Sequence, residues 1–322
     1  MFKTNPLRNQ RVFCLYHSPI KQGGNMDLLK SFLDKNRSKT INIHCVGDAM
    51  IDEYYDVKVS RISPEYPVPI MKSYNDWPVR RPGGAANVVY QLKHFNTKSM
   101  LVCWCDDLGK SVFTDHGIAF SCPIGFSYYK LPIKRRYLDD GIQIIRHDIE
   151  SPECSLDECS VDFSLSQIRT IIERTYVPDV AILSDYDKGF FSGESVNPLS
   201  FYKNVKTIVD PKNGPLSKWE GCTIFKPNAK EAQELTGRKQ WKDQAQHLQD
   251  KLGCEAVVIT FGGEKVAGIH NGEFFCYYPD KSVVVQSVVG AGDCFAAVFA
   301  LAIGHDFSVP EASEIAWHAG AN

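Results

Sequence analysis

The stretch Ser287-Val288-Val289-Gly290-Ala291-Gly292-Asp293-Cys294-Phe295 decides how this chain is read. An apolar, strand-like run from Val283 to Val289 precedes two glycines set around an alanine. An apolar helical pattern then follows from Ala296 to Ile303. That order describes a strand, a glycine turn and a helix N-terminus with a carboxylate, Asp293, in its first turn. Unpaired backbone N–H groups at such a turn hold phosphate or developing negative charge, and the helix dipole adds to the effect. The glycines let a ligand come close to the backbone. An ordinary turn with Asp293 as a helix-start carboxylate fits these residues equally well, so the rest of the chain has to decide.

Upstream, strands and helices alternate. Val180–Leu183, Val205–Val209, Cys222–Phe225 and Ala256–Thr260 read as buried strands, with helices over Phe163–Tyr176 and Trp241–Leu252. Each strand runs into polar residues: Ser184-Asp185-Tyr186-Asp187-Lys188-Gly189, Asp210-Pro211-Lys212, Lys226-Pro227-Asn228-Ala229-Lys230-Glu231, and Gly262-Gly263. Ile41–Gly47 is the first clear strand and leads into Asp48 and Asp52; Met100–Cys105 is another. This alternation predicts an α/β fold, a doubly wound and mostly parallel sheet, with its polar groups gathered along one edge. Gly83-Gly84 opens a helix that runs to about Phe95, and Asn87 in its first turns marks a second place for a polar ligand.

Prolines punctuate the runs Tyr54–Val59, Val68–Tyr74 and Trp77–Arg81. Together with Phe126–Tyr129 and Gln143–Arg146, which flank Lys134-Arg135-Arg136, they read as a small projecting sheet over about 53–82 and 117–150. Residues 1–40 form an N-terminal extension in which Asp27–Lys35 reads as a short amphipathic helix. Residues 41–322 form the main domain.

The chain has 322 residues, 43% hydrophobic and 23% charged, with a net charge of −2. Such a balance offers no bulk attraction for nucleic acid or a membrane surface. No apolar run reaches the length of a transmembrane helix, and Val12–Tyr16 is too short for a signal-peptide core. A cytoplasmic protein is expected. Eleven cysteines are present, none in a C-x-x-C pair; Cys45, Cys222, Cys254 and Cys294 sit in apolar surroundings and read as small core residues in a reducing compartment.

The signatures of P-loop proteins, of dinucleotide-binding Rossmann domains and of nucleophile-elbow hydrolases are all missing. Over roughly residues 41–322 the sequence resembles the ribokinase-like (PfkB-type) carbohydrate kinases. Four motifs in order carry that resemblance: Gly83-Gly84-Ala85-Ala86-Asn87, Asn228-x-x-Glu231, Thr260-x-Gly262 and Gly290-Ala291-Gly292-Asp293. A narrower likeness rests on Ser60-Arg61-Ile62-Ser63-Pro64-Glu65-Tyr66-Pro67-Val68-Pro69, Leu183-Ser184-Asp185-Tyr186-x-Lys188-Gly189 and Asp210-Pro211-Lys212. These look like the heptose 7-phosphate kinase domains of ADP-heptose synthases.

The resemblance implies ATP-dependent phosphorylation of D-glycero-β-D-manno-heptose 7-phosphate at C1, with magnesium, toward lipopolysaccharide core sugars. By the same resemblance Asp293 is the base, and Gly290, Ala291 and Gly292 supply the anion cradle. Asp48, Asp52, Gly83, Gly84, Asn87 and Asp185 would surround the sugar. Arg61, Lys188 and Arg136 are the cations for its phosphate. Asn228 and Glu231 would serve magnesium and its waters, and Thr260, Gly262 and Gly263 would lie beside the nucleotide. The family's lid also implies a homodimer formed through the projecting sheet.

The sequence departs from the family at several points. Ser287 and Val289 stand where an acidic residue and a threonine are usual, Asp187 where a small residue is usual, and Phe261 in place of a frequent arginine. The chain stops at Asn322, inside the helix expected after the one Asp293 starts, and no residues remain for a nucleotidyltransferase half. These departures set two weaker readings beside the first: a sugar-phosphate binding protein of the same fold with little activity, or a kinase for another sugar or nucleoside.

Overall fold

The first described element is a helix, α1 (Met26–Ser38), capped by Asn25, whose side chain accepts from the Leu28 N–H at 3.1 Å. That bond satisfies one of the orphan donors of a helix start. The computed structural model describes residues 25–73, 77–123, 129–150, 158–191, 197–212, 214–279 and 290–321. Leu28, Leu29 and Phe32 bury one face of α1 in the main core.

Strand β1 (Ile41–Gly47) is buried at every position but Asn42, as befits a strand covered on both faces. After Asp48 the chain re-enters as β2 (Ala49–Ile62), which is buried near its start and exposed toward its far end. The sequence had suggested short runs here; a single long strand begins immediately after Asp48 instead. β3 (Pro69–Ser73) and β4 (Val79–Gly84) pair antiparallel with the far and near parts of β2. Pro69 is the first residue of its strand, where a missing N–H is tolerated.

Next come α2 (Ala85–Leu92), β5 (Thr97–Val102), α3 (Asp107–Asp115), β6 (Phe120–Ser121), β7 (Ile133–Asp139) and β8 (Ile142–Ile149). β7 runs parallel to β2, and β8 folds back on β7 through Asp140-Gly141, both with positive φ as a tight hairpin requires. Lys134-Arg135-Arg136 therefore lies within a strand and not between two of them. The strand expected over Phe126–Tyr129 falls largely outside the described residues.

The second half supplies α4 (Glu158–Arg174), β9 (Val180–Ser184), β10 (Lys206–Asp210), β11 (Ile224–Phe225), α5 (Ala229–Thr236), α6 (Trp241–Leu252) and β12 (Ala256–Thr260). The hairpin β13 (Val266–His270) and β14 (Glu273–Tyr277) follows, turning on Asn271-Gly272 with φ of 50° and 82°. Two helices close the chain, α7 (Ala291–Gly304) and α8 (Val309–Ala321). From Cys294 onward α7 is buried all round, which is why its sequence is apolar without a polar stripe. The strand expected over Val283–Val289 lies outside the described residues.

The main sheet runs β14-β13-β12-β11-β10-β9-β1-β5-β6, and every pairing from β12 to β6 is parallel. The order reverses at β1, with β9 on one side and β5 on the other. The carboxyl ends of β1 and β9 thus form the crevice where such sheets place their ligands. The second sheet, β3-β2-β7-β8 with β4 on β2, projects from that edge. Among the described residues no helix is long and apolar enough to cross a membrane.

Candidate active site

Gly47 and Ser184 are paired at the ends of β1 and β9. A Cβ on Gly47 would fall 2.0 Å from the Ser184 carbonyl oxygen, so the two strand ends meet closely only because residue 47 is glycine. Just beyond, the Asp48 carboxylate accepts from the backbone N–H of Tyr186, Lys188 and Phe190 at 2.9, 3.1 and 3.1 Å. Asp48 is 2% exposed, and burial raises its pKa while those three bonds pull it back. It fastens the loop after β9, so the sugar contact expected of it is taken up by backbone. Asp185 lies on the same floor, 9% exposed. Burial pushes its carboxyl up to about 6.

The loop that Asp48 holds delivers Tyr186 to Asp293. The Tyr186 hydroxyl donates to one oxygen of Asp293, and Asn87 Nδ2 donates to the other at 2.6 Å. Gln91 Nε2 holds the Asn87 amide oxygen at 3.1 Å, one turn along α2, and so fixes which way that amide faces. Asp293 is the third residue of α7 behind Gly290, which sits at φ +74°, a conformation that suits glycine. A Cβ at Gly290 would meet Asn87 Nδ2 at 3.0 Å, whereas one at Gly292 would meet nothing within 4 Å. The first turn of α7 therefore opens onto free space beside the carboxylate. Burial raises the pKa of Asp293; Tyr186 and Asn87 lower it, Asp52 raises it and Lys134 lowers it. Ser287 and Val289, which depart from the family pattern, lie outside the described residues.

The projecting sheet contributes the cations. Arg136 of β7 is buried and donates to Asp52 of β2 at 2.6 Å. Its Nε is buried without a hydrogen-bond partner, an orphan donor in a polar cleft. Lys134 lies two residues earlier on the same face of β7, over the Tyr186 ring at 5.3 Å. Burial lowers its pKa, and the charges acting on it are those of Asp52, Asp293, Arg136 and Arg146. Arg135 faces the other way and pairs with Glu53 at 2.8 Å. Gly83 and Gly84 leave room for this arrangement: a Cβ on Gly83 would come within 2.9 Å of Asp52 Oδ2, and one on Gly84 within 2.6 Å of the Asp48 carbonyl oxygen.

Two expected phosphate ligands are placed elsewhere. Arg61 is exposed at the far end of β2, about 30 Å along the strand from Asp52 at ~3.3 Å per residue. The Lys188 side chain pairs with Glu150 at 2.9 Å, while Asp187 beside it takes a left-handed φ of 56° and turns the loop.

On the other side of the crevice, Asn228 and Glu231 form a capping box at the start of α5. Asn228 Oδ1 accepts from the Glu231 N–H at 3.0 Å, and Glu231 Oε2 accepts from the Asn228 N–H at 2.9 Å. Lys212 takes the other Glu231 oxygen at 3.0 Å. Hard oxygen donors suit magnesium, but these are turned on each other and on a lysine. Among the described residues no group of three or more His, Cys, Asp or Glu is arranged to hold a metal ion. As direct magnesium ligands they do not fit. Thr260 bridges to Asn228, and Gly262 and Gly263 form the turn after β12, with Gly262 at φ +59° facing open space.

Three further groups went unselected in the sequence. Lys226 pairs with Asp210 at 2.8 Å and lies over the Phe295 ring; burial holds Asp210 up at about 6 against the pull of that lysine. Tyr186 stood in a quoted run without a role. Lys134 was signalled by strand periodicity, since it shares a face with Arg136.

Residues 201–321 match the model of the pfkB family carbohydrate kinases. The bifunctional protein HldE of Paramagnetospirillum magneticum is 30% identical over 285 residues, 84% of this chain and 57% of that protein. HldE of Shewanella amazonensis is 31% identical over 288 residues, with the same two shares. The chain thus spans a little over half the length of these relatives. Among solved structures, phosphofructokinase-2 from Escherichia coli superposes with a TM-score of 0.68 at 19% identity, covering 88% of this chain and 93% of that one. The ribokinase of Thermotoga maritima gives 0.63 at 18% identity, covering 87% and 92%. With motifs, sheet order and relatives in agreement, this chain belongs to the pfkB family of carbohydrate kinases and has their ribokinase-like fold.

Proposed function

We propose that the chain is an ATP-dependent kinase that phosphorylates C1 of D-glycero-β-D-manno-heptose 7-phosphate. The observation that carries the kinase reading is Asp293: a buried carboxylate in the first turn of α7, held by Tyr186 and Asn87 and open toward Gly292. Bound ATP supplies the phosphoryl group. Asp293 takes the proton of the attacking hydroxyl, which a carboxylate of raised pKa does well. The N–H groups of Ala291 and Gly292, which have no partner within the helix at its first turn, meet the charge that grows on the transferred group. The preference for a phosphorylated sugar is supported by the orphan Nε of Arg136 and by Lys134 beside it.

Purified protein with ATP, magnesium and heptose 7-phosphate should release ADP and form a 1,7-bisphosphate visible by phosphorus NMR. Turnover no greater than that of Asp293→Asn would refute the reading. The base contributes about 10²–10⁴-fold in such reactions.

The same reading includes a homodimer formed through the projecting sheet. Ile142, Tyr66, Val68 and Trp77 are exposed at 69%, 74%, 52% and 82%, more large apolar side chains than one small sheet usually shows to water. A monomer mass at micromolar concentration would contradict it.

A further inference from the structure

Three cysteines converge at the carboxyl edge of the main sheet, on the side of β5 and β6. Leu101 and Val102 of β5 pair in parallel register with Phe120 and Ser121 of β6, and the Cys103 N–H continues the ladder to the Ser121 carbonyl at 3.4 Å. Cys103 and Cys122 are the next rung. Neighbouring strands lie about 4.8 Å apart, inside the roughly 4.4–6.8 Å that a disulfide spans between Cα atoms. Both thiols are free, as is Cys105 two residues along.

The neighbouring thiols of Cys103 and Cys105 and the Lys110 ammonium from α3 favour the Cys122 thiolate, and against burial they hold that thiol well below the usual range. Cys105 Sγ itself donates to the Asp106 carbonyl at 3.3 Å. Burial first, then hydrogen bonding, pushes Cys103 up. Cys122 is also partly exposed, whereas Cys103 is buried. Gly109 keeps the cluster tight, since a Cβ there would fall 2.9 Å from Cys105 Sγ. Among the described residues no group of three or more His, Cys, Asp or Glu is placed to hold a metal ion.

We propose that Cys122, Cys103 and Cys105 form a peroxide-reactive site in which Cys122 is attacked first and Cys103 resolves it as a cross-strand disulfide. The Cys122 thiolate attacks one oxygen of a hydroperoxide and the O–O bond breaks. The leaving oxygen takes a proton from solvent, which leaves a sulfenic acid and an alcohol, or water when the oxidant is hydrogen peroxide. The Cys103 sulfur then attacks the Cys122 sulfur. Its proton and the sulfenic oxygen leave as water, and the peroxide has accepted two electrons in all. Cys105, whose Sγ donates to the Asp106 carbonyl, keeps its proton.

The cross-link would lie under the sugar side of the crevice. Trp104 packs on Tyr129 and Phe190 with ring centroids 5.3 and 5.5 Å away, and Phe190 is one of the residues Asp48 holds. Asp106 caps α3 and accepts from the Leu131 N–H at 3.3 Å, where the chain enters β7 with Lys134 and Arg136.

The molecule contains its own comparators. Cys222 and Cys254 are also neighbours on adjacent strands, two residues before the paired Ile224 and Ala256, but both are buried at the opposite edge. Cys276 is a free, exposed thiol. The test treats the reduced, folded full chain with stoichiometric hydrogen peroxide, blocks free thiols and maps peptides by mass spectrometry. The expected product joins the Cys103 and Cys122 peptides, two hydrogens lighter than their sum and reversed by dithiothreitol. It should form about tenfold faster than Cys276 is oxidised. Cys103→Ala should stop at a sulfenic acid on Cys122 that dimedone traps, and Cys122→Ser should give neither product. A bond from Cys122 to Cys105, oxidation of Cys222 with Cys254 first, or reaction of Cys122 no faster than of Cys276 would each overturn the assignment. The wild-type comparison needs no substitution, so a variant that failed to fold would leave the test decisive.

Discussion

Replacing Tyr186 by phenylalanine removes one oxygen atom from the middle of the site and little else. In the folded protein that hydroxyl donates to Asp293, and the ring packs against Gly84 and under Lys134. A hydrogen bond to a charged group is worth about 1.5–3 kcal/mol. Losing it should raise the pKa of Asp293 further. The direction follows from the causes at work: burial lifts this carboxyl, and Tyr186 is the first of the groups that pull it down.

Two assays read the change. If Asp293 is the base, it must be ionised to work, so the acid limb of kcat/KM against pH should move to higher pH. Stability gives a readout that needs no substrate. A carboxyl whose folded pKa lies above its unfolded value adds stability below the unfolded value and loses it as pH rises through the folded pKa. The variant should therefore match the parent near pH 3 and fall behind by about 1.5–3 kcal/mol at pH 8 in denaturant melts. An acid limb that stays in place, together with a stability difference that does not vary with pH, would refute the claim that Tyr186 sets the charge of Asp293.

Arg136→Met should cost about 3–5 kcal/mol, because it leaves Asp52 buried and unpaired, and Arg136→Met with Asp52→Asn should recover most of the loss in urea melts. Lys226→Met removes the cation that holds Asp210 down, so its loss of stability should be small below pH 4 and grow as pH rises past the Asp210 pKa of about 6, as followed by melts across that range. Asn228→Ala breaks the capping box and should lower stability by about 0.5–2 kcal/mol, measured by thermal unfolding; a larger loss of turnover than of stability would show a further role beside the nucleotide.

The main sheet was legible because its strands are buried on both faces and read as unbroken apolar runs; Ala256–Thr260 and the helix Trp241–Leu252 were read with the ends they have. Two hairpins were signalled and missed. Asn271-Gly272 and Asp140-Gly141 are the dipeptides that two-residue turns favour, yet β13, β14 and β7 were not read, since single alternating runs are weak beside them. The site was legible as a set of strand ends but not as a set of contacts. Position alone could not say that the oxygens of Asp48 would go to three N–H groups, or that Asn228 and Glu231 would close on each other. Arg61 shows the limit best: a run peculiar to one group of relatives marked it, and the length of β2 carried it away from the cluster.

Asp48, Asp185, Asp210 and Asp293 all have a raised pKa from the same cause, burial, and three of them differ clearly in what answers the charge. Asp210 meets the ammonium of Lys226, which cancels it. Asp48 meets three backbone N–H groups and is closed to solvent at 2% exposure, so its charge is spent on holding the loop. Among the described residues Asp293 meets a hydroxyl and an amide, neutral donors that orient its oxygens without cancelling their charge. It also lies beside the unfilled space at Gly292, and Lys134 acts on it by charge alone. Of these three, Asp293 is the carboxylate whose charge is left uncancelled beside open space, which supports its proposed role as the base.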